Sequence, residues 1–183
     1  YVTRATGNFA STEQEEVVLA FIAYMTQSVE GLEVVEGAGG IVDYTTAINW
    51  ETLKADYPIA TTDLSTYTIK VGGSTSVEKT VKAALESFQA LTGAQFTMDQ
   101  TGSGDGFKRV LGSDKDSANA ADIGFASRTF KAEETVDQGA VNGVMCMDGI
   151  AVVVEANNPA SEITKQQVYD IFTGALSTWD DFQ

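Results

Sequence analysis

The chain has 183 residues, 43% of them hydrophobic, which is enough for one good core or two small ones. Its formal net charge of -15 argues against a nucleic-acid partner and against direct binding to an anionic membrane. The chain contains no histidine, which excludes Ser-His-Asp and Cys-His triads, and its single cysteine, Cys146, offers neither a disulfide framework nor a zinc cluster.

Residues 1–57 are predicted to be mainly helical after a short strand at residues 1–3. A capping-box pattern at Thr12 and Glu15 marks the start of the first helix. Apolar side chains at helical spacing predict helices over residues 12–27, 29–37 and 48–57. Residues 58–66, which are rich in Thr, Ser and Asp, are predicted to be a linker.

From residue 67 onward, predicted strands alternate with predicted helices. The strands are expected at residues 67–71, 94–99, 121–125, 141–147 and 150–155, and the helices at residues 76–92, 107–111 and 165–172. Residues 150–155 are almost continuously apolar, as in a strand buried on both faces. The alternation predicts an α/β fold with a mostly parallel sheet flanked by helices.

Three of the predicted strands end in short polar turns that supply the candidate binding residues. These residues are Ser74, Thr75 and Ser76 in the first turn, Ser103 and Gly104 in the second, and Ser127 and Arg128 in the third. Because the carboxyl ends of parallel strands share one edge of a sheet, we expect these residues to meet there. Turn hydroxyls and free N–H groups at helix starts suit a small oxyanion, and they need no net positive charge.

Other interpretations of these turns remain open. An ordinary serine N-cap after a strand–helix turn explains the first turn by itself. Arg128 could bind the ligand or form a salt bridge with an acidic neighbour. Asp99 and Asp105 could pair as acid and base, but the chain has no histidine or activated nucleophile to work with them. The glycine spacing also departs from nucleotide-binding motifs. We therefore predict no enzyme activity, no cofactor and no metal.

Five motifs follow one another in the second part of the chain: VGGSTSV, TGSGDGF, ADIGFASR, MDGIAVVVEANNP and ITKQQVYDIFTGALSTW. Together they resemble the phosphate-binding component of bacterial ABC uptake systems, a family of two-lobed type II periplasmic binding proteins. The resemblance implies that Thr75, the Ser76 amide, Ser103 and Ser127 lie where the family contacts phosphate. Many family members have aspartate at the position of Ser127, so the choice between phosphate and sulfate or molybdate stays open.

The resemblance also implies how such a protein would work. It implies an extracellular, cell-surface or periplasmic lobe that binds phosphate or a similar oxyanion and delivers it to an ABC transporter permease. Attachment to the membrane, as in a lipoprotein, would come only through an anchor outside this chain. The alternative is a signalling or adhesive surface domain that keeps the fold without transporting solute.

Residues 1–57 are similar to the C-terminal end of the same family, in YVTR, VVLAFIAYM and SVEGLEVVEGAGGI, yet they come before the lobe at residues 67–183. This order suggests a fragment of a protein with tandem binding modules. We therefore expect residues 1–183 to pack as one compact domain, a circularly permuted lobe whose helix at residues 17–25 covers the sheet. A domain-swapped oligomer is the alternative.

Overall fold

The computed structural model describes residues 1–136 and 139–179. The chain forms two units, of which the first is Tyr1–Asp148 and the second begins at Gly149. The sequence predicted one compact domain over residues 1–183, whereas the structure divides after Asp148. The circular permutation and the tandem modules remain predictions.

A four-stranded mixed sheet forms the centre of the first unit. Its strands are β1 (Val2–Thr3), β2 (Thr68–Gly73), β3 (Gln95–Asp99) and β4 (Ile123–Phe125). They lie in the order β1-β4-β2-β3, with β2 parallel to both β3 and β4, and β1 antiparallel to β4. Gly72 is opposite Asp99 on one side and Gly124 on the other. The predicted α/β fold with a mostly parallel sheet is thus confirmed.

The long helices follow the apolar periodicity of the sequence. The helices are α1 (Thr12–Gln27), α2 (Val29–Gly37), α3 (Trp50–Leu53), α4 (Glu78–Thr92), α5 (Ser103–Val110) and, in the second unit, α6 (Lys165–Thr173). The helix predicted at residues 48–57 is instead a four-residue α-helix, Trp50–Leu53, followed by a 3₁₀ turn, Lys54–Asp56, and the helix predicted at residues 107–111 begins at Ser103. The N-cap of α1 is Ser11, one residue before the predicted cap, because its hydroxyl accepts from Gln14 N at 3.1 Å. A capping box at Thr164 starts α6.

Helix α1 packs against elements that follow residue 67, as the sequence predicted for residues 17–25. The rings of Phe21 and Phe88 on α4 have centroids 5.5 Å apart in an edge-to-face arrangement. Gln14 Nε2 donates to Thr68 O at 3.0 Å and to Asp122 Oδ2 at 3.1 Å. These contacts join residues 1–57 to the sheet within one hydrophobic core.

Residues 58–66 were predicted to be a linker, but they pack as part of the first unit. Pro58–Thr61 is a turn of 3₁₀-helix, and Leu64 is fully buried in the core. Leu64 N also donates to Thr92 O at 3.0 Å, which ties this segment to the end of α4. The segment therefore contributes to the core because its few apolar residues face inward, although its overall composition is polar.

The two strands predicted after residue 140 do not form. Residues 141–147 make isolated bridges, in which Ile41 and Met147 exchange hydrogen bonds of 2.8 Å. Residues 150–155 form no regular element in the second unit, with Ile150 97% exposed and Val153 86% exposed. A strand requires a hydrogen-bonded neighbour. Among the described residues of the second unit, α6 is the only regular element, so the apolar run has no strand to pair with.

Candidate functional site

The three polar turns meet at one edge of the sheet, as the parallel register predicted. Ser74 N donates to Phe125 O at 3.0 Å, which joins the end of β2 to the end of β4. Gly102 N donates to Gly73 O at 2.8 Å, which joins the turn before α5 to the end of β2. The turn backbones are thus bonded directly to one another.

Two glycines permit this close approach. Gly73 has a φ of 137°, and a Cβ atom there would lie 2.1 Å from Phe125 O. A Cβ atom on Gly106 would lie 2.8 Å from Phe125 O and 2.9 Å from Gly73 Cα. Only glycine fits either position without a backbone shift, so α5 can start directly against the ends of β2 and β4.

Three serine hydroxyls, one from each turn, form a hydrogen-bonded group that we call the serine cluster (Ser74, Ser103 and Ser127). Ser74 Oγ donates to Ser127 Oγ at 2.9 Å, and the Oγ atoms of Ser103 and Ser127 are 3.4 Å apart. Ser127 N donates to Ser103 Oγ at 3.2 Å. The cluster therefore brings together residues that lie as many as 53 positions apart in sequence.

Free backbone donors surround the serine cluster. Within residues 1–136 and 139–179, no acceptor is found for the backbone N–H groups of Thr75, Ser103 and Gly104. The N-cap of α5 is Gly102, which has no side chain to satisfy these donors. Ser76 N donates to Ser74 Oγ at 3.3 Å. The start of α5 therefore presents unsatisfied N–H groups and the positive end of its dipole beside the cluster.

Arg128 is neutralised by a carboxylate that the sequence did not single out. Arg128 Nη1 and Nη2 bind the two oxygens of Glu134 at 2.7 and 2.8 Å. Lys131 N also donates to Glu134 Oε2 at 2.8 Å. The Arg128 hydrogen bond is the main cause that lowers the pKa of Glu134 to about 2, so this pair is ionised at neutral pH. Of the two roles considered for Arg128, the salt bridge is the one observed.

The arginine nonetheless lies beside the start of α5. A Cβ atom on Gly104 would be 3.7 Å from Arg128 Nη2 and 3.6 Å from Glu134 Oε1. The ion pair therefore borders the same helix turn that offers free N–H groups.

A second ion-pair group contains Asp99 and Asp105, which the sequence analysis considered as an acid–base pair. Both carboxylates bind Arg109 on α5, through Nη2 to Asp99 Oδ2 at 2.6 Å and through Nε to Asp105 Oδ2 at 2.6 Å. Thr101 Oγ1 also donates to Asp105. The i,i+4 spacing of Asp105 and Arg109 on a helix predicts their ion pair, whereas no local pattern in the sequence indicates the contact with Asp99.

Gln100, between β3 and the second turn, was also missed. Its side-chain Nε2 and Oε1 are buried and have no hydrogen-bond partner among the described residues. Buried amides are rarely unpaired in proteins.

The described residues show no arrangement typical of a metal site or of a reactive nucleophile. No group of three or more Cys, Asp or Glu side chains in the described ranges is placed to hold a metal ion. Burial raises the pKa of the half-buried Cys146 thiol, which disfavours the reactive thiolate. None of the helices in residues 1–136 and 139–179 has the length and apolarity needed to cross a bilayer. The arrangement at the sheet edge is suited to holding an anion.

Comparison with known proteins gives consistent matches. A family model described as a PBP superfamily domain matches residues 59–183. The chain is 33% identical over 112 residues to phosphate-binding protein PstS 2 of Streptococcus pneumoniae serotype 4, covering 61% of this chain and 36% of the relative. It is 29% identical over 170 residues to phosphate-binding protein PstS 2 of Streptococcus agalactiae serotype V, a match that covers 92% of this chain and 52% of the relative.

A solved structure also matches the whole chain. It is the crystal structure of the phosphate-binding protein of a phosphate ABC transporter from Streptococcus pneumoniae TIGR4, with a TM-score of 0.74 and 25% identity. The match covers 100% of this chain and 62% of that structure. The chain thus spans only part of the length of each of these relatives.

Proposed function

The chain belongs to the PBP superfamily, and on this premise we propose that it is a solute-binding domain that takes phosphate or a similar small oxyanion at the serine cluster. The site residues in this proposal are those of the three turns: Ser74, Thr75, Ser76, Ser103, Gly104, Ser127 and Arg128. The relatives are named phosphate-binding proteins, which makes phosphate the first ligand to test.

The observation that carries the proposal is the combination of hydroxyls and free N–H groups at one point. The three Oγ atoms lie within 3.4 Å of a neighbour in the cluster, and the N–H groups of Thr75, Ser103 and Gly104 have no acceptor among the described residues. An oxyanion can accept hydrogen bonds from the three N–H groups and from a cluster hydroxyl whose proton is not already donated within the cluster, as that of Ser74 Oγ is to Ser127 Oγ. Such a site works through local dipoles, so the net charge of -15 does not prevent it.

In this proposal the domain acts outside the cytoplasm and passes its ligand to the permease of an ABC transporter. One solved structural relative is described as part of a phosphate ABC transporter. Any attachment to the membrane comes through an anchor outside the chain. Binding by this chain alone is weak, on the order of millimolar or about -4 kcal/mol, because one lobe leaves the anion exposed to water.

A second candidate is a signalling or adhesive surface domain that keeps the fold but does not bind solute. The pairing of Arg128 with Glu134 favours this alternative, because the only arginine in the three turns is already neutralised. The two candidates differ in one measurable property, the response to oxyanions.

The test is an NMR titration of the ¹⁵N-labelled 183-residue chain with phosphate, sulfate and molybdate. Phosphate should shift the amide signals of residues 74–76, 103–104 and 127 in a saturable way. Ser103→Ala should weaken binding about fivefold, the equivalent of one hydrogen bond of about 1 kcal/mol. The control is Ser65→Ala, which changes an exposed serine before β2, at the opposite end of that strand.

Two results would count against the proposal. If none of the three oxyanions shifts any amide at tens of millimolar, the surface-domain alternative is preferred. If phosphate binds but Ser103→Ala and Ser127→Ala have no more effect than Ser65→Ala, the ligand binds elsewhere on the chain. Micromolar binding by the chain alone would contradict the argument that one lobe leaves the anion wet.

A further inference from the structure

Arg109 binds two carboxylates at the sheet edge, and neither the motifs nor the binding proposal uses it. Its side chain is only 11% exposed, and it binds Asp99 and Asp105 at the same time. A buried guanidinium that binds two carboxylates is held in a single orientation, because its planar fork fits each of them.

The guanidinium lies beside the first turn of α5, although Arg109 belongs to the last. Long side chains on a helix point toward its N-terminus, and Arg109 Nε accordingly binds Asp105, four residues earlier. Asp105 is two residues after Ser103, in the turn whose N–H groups are free. The positive charge of Arg109 therefore lies beside the first turn of the helix.

Two further contacts hold Arg109 in place. Its Cδ packs over Gly72, where a Cβ atom would come within 2.9 Å. Its carbonyl accepts from Ala121 N at 3.0 Å, just before β4. The residue thus touches the segments that end or precede three strands of the sheet.

The position of Arg109 affects anion binding because of the two carboxylates that it neutralises. Asp105 lies in the first turn of α5, the turn that contains Ser103 and Gly104, and Asp99 binds the same guanidinium as Asp105. A carboxylate in the first turn of a helix competes with an anionic ligand for the same dipole. Charges on neighbouring residues are only partly screened at physiological salt, where the Debye length is about 8 Å, so an uncompensated pair would repel the ligand.

We propose that Arg109 is a positioning residue of the oxyanion site, which keeps Asp99 and Asp105 from repelling an anion bound at the start of α5. The inference rests on the binding proposed above for the serine cluster. It adds a residue outside the three turns, and it assigns the two aspartates a role that opposes binding unless Arg109 neutralises them.

The test compares phosphate affinities of variants by the same NMR titration. Arg109→Gln should weaken phosphate binding about tenfold, which corresponds to 1.4 kcal/mol. Arg109→Lys keeps the charge but loses the fork that binds both carboxylates, so its affinity should lie between that of the wild type and that of Arg109→Gln. The loss in Arg109→Gln should be larger at low than at high ionic strength, a dependence that a purely structural role would not show.

A second set of variants tests whether removing the two aspartate charges compensates for the loss of Arg109. Adding Asp99→Asn and Asp105→Asn to Arg109→Gln should restore most of the lost affinity. The matched control adds Glu33→Gln and Asp56→Asn to Arg109→Gln, which changes the net charge equally at exposed positions on other elements and should restore little. A further control, Lys108→Gln, removes an exposed cation from the same helix and should have less than about a twofold effect.

The outcomes separate this inference from the binding proposal. No phosphate response in the wild type overturns both. A wild-type response that Arg109→Gln leaves unchanged, or a loss that the two Asp→Asn changes do not restore, overturns the inference alone. If Arg109→Gln does not fold, the Asp99→Asn/Asp105→Asn variant with Arg109 retained decides the question. It should bind phosphate more tightly than the wild type, and an unchanged affinity overturns the inference.

Discussion

The side-chain amide of Gln14 donates to Asp122 Oδ2 at 3.1 Å, although the two residues are 108 positions apart. The same carboxylate oxygen accepts from Lys70 N at 2.9 Å, and Asp122 is only 7% exposed. This buried carboxyl therefore connects α1 to β2 and to the start of β4. Burial raises the pKa of Asp122, and the hydrogen bonds from Lys70 and Gln14 only partly oppose that effect.

Asp122→Asn should therefore change how stability depends on pH. A carboxyl whose native pKa is raised contributes stability that is complete below the ordinary aspartate pKa, about 3.9, and is lost as pH rises through the native pKa. Asparagine keeps the acceptor oxygen and has no charge to bury. The variant should thus gain stability relative to the wild type between pH 3 and pH 7, measured by urea unfolding at several pH values. A difference that stays constant over this range would contradict the prediction, and exposed Asp56→Asn serves as the control.

The contact between α1 and α4 predicts a large effect for a buried aromatic side chain. Phe21→Ala removes a fully buried ring that packs on Phe88 and should cost about 3–5 kcal/mol in the free energy of unfolding. Phe172→Ala makes the same chemical change where the ring is 85% exposed, and it should cost less than about 0.5 kcal/mol. Urea titrations followed by circular dichroism would compare the two. Similar losses for both would mean that α1 does not pack as described.

Gly73 should be intolerant of any side chain. Gly73→Ala places a Cβ atom 2.1 Å from Phe125 O at a φ of 137°, so we expect a loss of about 1–3 kcal/mol together with a weaker phosphate response. Gly37→Ala is the matched control, because a Cβ atom there meets nothing within 4 Å. That change should stabilise the protein by about 0.4–1 kcal/mol, since alanine restricts the unfolded chain. Equal effects of the two substitutions would refute the close approach at Gly73.

Glu134→Gln tests whether the salt bridge withholds Arg128 from an anion. The pKa of Glu134 is lowered to about 2, so its contribution to the loop is present above its ordinary pKa and is lost only as pH falls toward 2. At pH 7 the substitution removes a negative charge and releases Arg128, and phosphate binding should become severalfold tighter. Glu133→Gln makes the same charge change at an exposed neighbour and should have little effect. An unchanged or weaker phosphate affinity in Glu134→Gln would indicate that Arg128 stabilises the loop and does not bind the ligand.

Much of the fold could be predicted because its signals are local. The apolar periodicity of α1 and α4, the cap before α2 and the glycine after α4 each reflect hydrogen bonds within a few residues. The meeting of Ser74, Ser103 and Ser127 was also predictable. Parallel strands place their carboxyl ends on one edge of the sheet, so the order of strands and turns along the chain is enough to predict that the three serines meet.

The partners of the charged residues could not be predicted in this way. Arg128 pairs with Glu134 through the fold of the loop after β4, and Arg109 on α5 pairs with Asp99 at the end of β3, so each choice depends on side-chain directions that the sequence does not state. Composition likewise suggested a linker at residues 58–66, but the burial of Leu64 there depends on the core it meets.

The apolar run at residues 150–155 shows most clearly which features the local sequence determines and which depend on tertiary structure. The sequence by itself determined the helices, the strand–turn–helix order and the residue types at the sheet edge, because propensity and periodicity act over a few neighbouring residues. Only the tertiary structure decided which apolar segments become strands and which charges are neutralised. A strand is completed by a neighbour and an ion pair by a partner, and each of these can lie a hundred residues away in the chain.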